Sequence, residues 1–124
     1  MRNSVMKTMV LDIGGTAIKS AVAENGVLSD IRETPTQASL GGEHVMALAK
    51  EIIASYKEHW DFARIGISTA GQVDPEKGSI IYANHNIPGY TGTPIRAIME
   101  EAFHVPVYVE NDVSAAAIGE AHFG

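Results

Sequence analysis

The chain has 124 residues, 45% of them apolar and 19% charged, the balance of one soluble globular domain large enough to build its own core. Nine Lys and Arg stand against fifteen Asp and Glu, and the net charge of −6 argues against a nucleic-acid module and does not favour an anionic membrane surface. Without cysteine there is no disulfide framework, thiolate metal site or Cys nucleophile, and no apolar run approaches the ~20 residues of a membrane span. The start, Met1-Arg-Asn-Ser-Val-Met-Lys-Thr8, lacks the apolar centre of a secretion signal, so the expectation is a cytoplasmic protein.

In chain order, residues 9–13 (Met-Val-Leu-Asp-Ile) read as a short buried strand that stops at Gly14-Gly15. Residues 18–23 alternate and read as the returning strand, and Asn25-Gly26 is a strong hairpin signal. A third strand is therefore expected from Val27 until Pro35 stops it. From Glu43 the period becomes helical: Val45, Leu48, Ala49, Ile52, Ile53 and Tyr56 share one face, with Lys50, Glu51, Lys57 and Glu58 opposite. Residues 64–69 read as a buried strand with Ile65 and Ile67 on one side, and residues 79–82 as a short one. Residues 94–103 read as a second helix, with Thr93 as its cap and Pro94 at its first position. Residues 105–109 form another apolar strand, and an alanine-rich third helix is expected over 113–122. Three hairpin strands followed by alternating strands and helices imply a mixed sheet flanked by helices.

Four stretches are candidates to carry chemistry. In Asp12-Ile-Gly-Gly-Thr-Ala-Ile-Lys19 a carboxylate lies inside an apolar strand, where leaving it unpaired is costly. Gly14 and Gly15 permit a sharp turn whose N–H groups can cradle an anion, Thr16 adds a hydroxyl, and Lys19 stands near the mouth. An acidic residue beside a phosphate cradle suits Mg2+; the plainer reading is a hairpin turn with Asp12 capping it. The stretch is neither a Walker loop nor a dinucleotide fingerprint, because a strand follows it. In Val109-Glu-Asn-Asp-Val-Ser-Ala115 a strand ends in polar residues where a helix begins, a usual place for ligands. Asn111 offers an amide to a hydroxyl pair, and Asp112 can serve both as helix cap and as general base. Ser68-Thr-Ala-Gly-Gln-Val-Asp74 offers either a tight turn or a backbone wall against a polar ligand. Asn84-His-Asn-Ile-Pro-Gly-Tyr90 is either a solvated turn or a polar loop suited to a polyhydroxylated ligand. The five histidines have no metal-ligand spacing; His59 and His104 fall near helix C-terminal ends, and Trp60 and Phe103 read as core anchors.

These motifs together resemble the ROK family of sugar kinases and repressors, in order and over nearly the whole chain. The first stretch resembles that family's first phosphate motif, and residues 65–74 its segment beside the sugar. Asn86-Ile-Pro-Gly-Tyr90, Val105-Pro-Val107 and Glu110-Asn-Asp-Val-Ser-Ala-Ala-Ala-Ile-Gly-Glu120 continue the match. The resemblance implies an α/β, ribonuclease-H-like (actin-like ATPase) half-domain, with three antiparallel N-terminal strands and helices on both faces of the sheet. It implies ATP-dependent phosphorylation of a hexose-type sugar hydroxyl. Asp112 would be the general base; Gly71, Asn86, Asn111 and Asp112 would contact sugar hydroxyls; Gly14, Gly15, Thr16 and, more loosely, Lys19 would face ATP. Asp12 would stand near Mg2+, through water. Ala17 stands where many members carry a longer polar residue, and Tyr90 where many carry Trp.

Family members are two-lobed and more than twice as long, so residues 1–124 are expected to be the N-terminal lobe, nearly inactive alone. Structural zinc would belong to the C-terminal lobe, and the parent is expected to be a homo-oligomer, a dimer, binding a small sugar without nucleic acid or membrane. The alternatives are a sugar-responsive transcriptional regulator of the same family and a non-catalytic sugar-binding module. The regulator would need a DNA-binding domain ahead of Asp12, where this sequence has eleven residues.

Overall fold

A five-stranded mixed sheet organises the chain in its computed structural model, which describes residues 7–69, 72–74, 76–82 and 87–110. Strands β1 (Thr8–Ile13), β2 (Ala17–Glu24) and β3 (Val27–Pro35) form the expected antiparallel meander. Strands β4 (Arg64–Thr69) and β7 (Val107–Glu110) add in parallel beside β1, giving the order β3-β2-β1-β4-β7. Asn25 and Gly26 take φ values of 53° and 80°, the left-handed pair that matches the twist of a tight hairpin.

The strand period sorts side chains onto two faces. Met9, Leu11, Ile13, Ile18, Val22, Ile65, Ile67, Val107 and Val109 lie in the main core. Helices α1 (Gly42–Lys57) and α2 (Ile95–Phe103) pack into this same core through Val45, Ile53, Tyr56, Ile95, Met99 and Phe103. On α1, Met46 is buried as well, and Leu48 sits at the core margin. Val10, Ala21 and Ala23 form a smaller buried cluster on the other face. The third helix, expected over 113–122, lies outside the described residues.

Three local expectations are corrected. The stretch after β4 contains a strand, β5 (Gln72–Asp74), paired antiparallel with β6 (Ser79–Tyr82). Pro94 is the N-cap of α2, outside its first turn, and Thr93 supplies no side-chain cap. The Thr93 hydroxyl instead donates to the Tyr90 carbonyl at 2.6 Å, a tertiary partner that outcompetes the local one. Arg96 of α2 is half-buried and donates to the Glu76 carbonyl.

The edge strand β3 carries a bulge, where pairing shifts from Ser20–Arg32 to Val22–Ser29. Asp30, at φ 55°, turns there, and a bulge breaks an otherwise sticky edge. Its carbonyl accepts the Tyr56 hydroxyl at 2.6 Å, and its carboxylate accepts Arg32 Nε at 3.1 Å, Arg32 Nη2 at 2.9 Å and Trp60 Nε1 at 3.0 Å. The Arg32 guanidinium also lies 4.0 Å above the Tyr56 ring. Hydrogen bonds from Arg32, then from Trp60, hold the Asp30 carboxyl below its ordinary range.

Candidate functional site

The carboxyl ends of the parallel strands β1, β4 and β7 lie side by side, the edge at which such sheets bind ligands. One row of paired residues crosses the whole sheet there: Glu33, Lys19, Asp12, Ser68 and Glu110. Directly paired residues share a face. This row therefore lies on the face opposite α1 and α2, and it explains how a carboxylate can sit in an apolar strand. Asp12 belongs to the alternate face, at the strand end, and is only half-buried. Ser68, itself 5% exposed, donates its hydroxyl to Asp12 Oδ1 at 3.2 Å. Among the described residues Asp12 Oδ2 has no hydrogen-bond partner. Lys19 is exposed directly across from Asp12, and no ion pair joins the two.

The turn after β1 closes by the Gly14 N–H donating to the Ala17 carbonyl at 3.0 Å. Neither Gly14 nor Gly15 lies in the left-handed region, so the need for glycine at 14 is one of space. A Cβ there would stand 3.1 Å from the Ala17 oxygen and press on that closing bond. Gly15 and Thr16 are exposed at the tip, and their N–H groups meet no acceptor among the described residues. Two such amides beside a carboxylate are the donor pattern of an anion cradle with a cation next to it. The set fits Mg2+, which takes one or two carboxylate oxygens and completes its shell with phosphate and water. Asp12 Oδ2 and the Thr16 hydroxyl are the hard donors available. Among the described residues, no three His, Cys, Asp or Glu gather as a protein cage for a metal.

Thr36 buttresses this turn from behind, a role with no pattern in the sequence to announce it. Its hydroxyl donates to the Gly14 carbonyl at 2.8 Å and its N–H to the Thr16 carbonyl at 3.0 Å, and the side chain is fully buried. Thr36→Val keeps the shape and removes the hydroxyl donor. It is expected to lower stability by about 1 kcal/mol, read as a shift in denaturant midpoint at unchanged slope. An unshifted midpoint would remove Thr36 as the buttress.

Two further polar segments approach from the helical face. Thr69 ends β4, and its hydroxyl lies 2.5 Å from that of Tyr90, both side chains being buried. Burial pushes the Tyr90 phenol up to about 12, against a smaller opposing effect of the Thr69 bond, so the phenol keeps its proton at neutral pH. Gly71, Asn86, Asn111 and Asp112 lie outside the described residues. Sequence adjacency alone ties them to the site: Gly71 follows Thr69 by two positions, and Asn111 and Asp112 follow Glu110 directly.

Two hollows are found among the described residues, one of them at the site. One of about 350 Å3 beside the turn is lined by Thr16, Ala17, Glu33 and Pro35. A larger one, about 550 Å3, lies between α1 and α2 against Met46, Lys50 and Ile98, and no predicted site residue lines it.

Comparison with known proteins gives a consistent picture. Residues 8–124 match the model of the ROK family. An uncharacterised protein of Clostridium perfringens, CPE0188, is 46% identical over 112 residues, covering 90% of this chain and 38% of that protein. A glucokinase of Halalkalibacterium halodurans is 34% identical, covering 89% and 34%. The N-acetylmannosamine kinase of Escherichia coli is 31% identical, covering 93% and 39%. The chain thus spans well under half the length of these curated relatives. Among solved structures, a ROK family glucokinase of Streptomyces griseus in complex with glucose and AMPPNP superposes with a TM-score of 0.77 at 31% identity. That match covers 91% of this chain and 35% of the glucokinase. A ROK family transcriptional regulator, at 20% identity and a TM-score of 0.75, shares the fold; its match covers 90% of this chain and 29% of that one. No helix among the described residues is long and apolar enough to cross a membrane.

Proposed function

Because the chain belongs to the ROK family and has its actin-like fold, we propose that residues 1–124 are the N-terminal lobe of an ATP-dependent sugar kinase. The observation that carries this reading is the pairing of an exposed amide-lined turn with the half-buried Asp12 at the carboxyl edge of the parallel strands. A sugar is the matching acceptor, since the glucokinase and the N-acetylmannosamine kinase are relatives at 34% and 31% identity.

Phosphoryl transfer asks a protein mainly for positioning and charge neutralisation. In this reading the N–H groups of Gly15 and Thr16 hold phosphate oxygens, and Gly14 lets the turn close beneath them. Asp12, oriented by Ser68, supports Mg2+, directly or through water, and Lys19 adds positive charge near the mouth. Mg2+ supplies neutralisation of the charge that builds on the transferred group. Gly71, Asn86 and Asn111 hold the sugar hydroxyls, and Asp112 accepts the proton from the hydroxyl that attacks phosphorus. A clamp of this kind also selects, because the wrong sugar leaves its polar groups unpaired.

The lobe supplies one wall of the ATP cleft, so activity belongs to the two-lobed protein, taken here as a homodimer of cytoplasmic location. A coupled assay with ATP and a panel containing glucose and N-acetylmannosamine tests the reading. The two-lobed protein is expected to phosphorylate at least one hexose-type sugar, and turnover of none of them would end it.

A further inference from the structure

The two segments read as holding the sugar leave the same buried contact. Thr69, 2% exposed, is the last residue of β4 and stands two positions before Gly71. Tyr90, 1% exposed, closes the Asn86-Ile-Pro-Gly-Tyr90 stretch, four positions after Asn86. Their hydroxyls meet at 2.5 Å. Hydroxyls buried this deeply need partners, and each here satisfies the other across 21 positions of chain.

Everything around Tyr90 fixes its backbone. Gly42 N–H, at the start of α1, donates to the Pro88 carbonyl at 2.8 Å, and Gly92 N–H donates to the Ile80 carbonyl at 2.6 Å. The Thr93 hydroxyl and N–H both point at the Tyr90 carbonyl, at 2.6 and 3.1 Å. Helix α1 comes so close that a Cβ on Gly42 would stand 2.9 Å from the Gly89 oxygen and 3.1 Å from the Tyr90 Cα. The loop is thus seated on α1 and β6 by its backbone. Its side-chain tie to the main sheet ends at the strand that leads into Gly71.

We propose that Tyr90 is a positioning residue for the sugar, its bond to Thr69 tying the end of β4 to the loop of residues 87–93. The inference rests on the sugar-kinase reading and deepens it. Neither hydroxyl reaches substrate; both act through the residues they hold. Clamp geometry is sensitive to shifts of this size, since a misplacement of about 1 Å can cost ~100-fold. The phosphate turn has its own buttress in Thr36.

The test is steady-state kinetics of Tyr90→Phe, Thr69→Val, the double variant and Thr69→Ser, in the two-lobed protein, with glucose and N-acetylmannosamine. Tyr90→Phe and Thr69→Val are each expected to raise the KM of the preferred sugar ~10-fold, the worth of one buried hydrogen bond. The KM for ATP should stay within about twofold, the double variant should be no worse than either single one, and Thr69→Ser should restore the wild-type value. An unchanged sugar KM overturns the proposal, as do equal rises for sugar and ATP or additive effects in the double variant. If Tyr90→Phe fails to fold, Thr69→Val against Thr69→Ser decides by the same criteria. A wild-type protein that turns over no sugar overturns the kinase reading and this inference together. A working wild type with unaffected variants overturns this inference alone.

Discussion

Asp112→Asn in the two-lobed protein is expected to lower kcat by roughly 10²–10⁴, the contribution of a positioned general base. Asn is nearly isosteric with Asp and equally good at a helix N-cap, so the cap expected from the sequence would be kept while basicity is lost. The expectation rests on where the chain is delivered. Strand β7 pairs in parallel with β4 so that Glu110 lies beside Ser68, in the row that holds Asp12, and Asn111 and Asp112 follow Glu110 in sequence. Glu110, which precedes them, lies two strands over from Asp12, with β4 between. Thermal unfolding of the variant should match wild type. An unchanged kcat would remove Asp112 as the base, and a fall in kcat matched by an equal loss of folded protein would do the same.

Asp12→Asn is expected to lower kcat/KM for ATP by roughly 10²–10³, the usual loss when one preorganised charge-stabilising group is removed. The substitution keeps an oxygen to accept the Ser68 hydroxyl and alters no core contact, since Asp12 lies on the face away from α1 and α2. What it removes is the negative charge that attracts a cation to the turn. The Mg2+ dependence of nucleotide binding, followed by calorimetry, should therefore weaken in parallel, while sugar affinity in the absence of nucleotide stays put. Unaltered Mg2+ dependence would contradict the role given to Asp12. A fall in sugar affinity of the same size would move the residue to the other half of the site.

Much of the architecture is legible in residue order, because it follows from periodicities the chain states outright. Ile65 and Ile67 alternate with Gly66 and Ser68, and the strand period alone puts the two isoleucines on one face and Gly66 and Ser68 on the other. Asn25-Gly26 needs φ above zero twice, which few other dipeptides accept so readily. The features that escaped are set by partners distant in sequence. The bulge at Asp30 depends on Arg32, Tyr56 and Trp60 converging on one residue, and nothing local marks it. Strand β5 is three residues long, too short for a period to show. Thr93 looks like a cap until the Tyr90 carbonyl is known to lie above it.

The same division runs through the candidate site. Asp12, Gly14, Gly15 and Thr16 stand out because carboxylate, glycines and hydroxyl are contiguous. Ser68, Thr36 and the Thr69–Tyr90 pair are single hydroxyls whose partners lie 56, 22 and 21 positions away, and only the folded sheet brings them together. The glycine argument also changes in kind. Conformational freedom was the reason suggested by Gly14-Gly15, and crowding against the Ala17 carbonyl is the reason at Gly14 in the fold.

In the function proposed above, this chain is half of a catalytic cleft. That role is tested most directly by measuring ATP-dependent sugar phosphorylation by the 124-residue chain alone, and then by the chain mixed with, or joined to, the remainder of its protein. Near-background turnover is expected for the chain alone and robust turnover once both lobes are present. Robust turnover by the chain alone would contradict that role, and so would the absence of turnover from both.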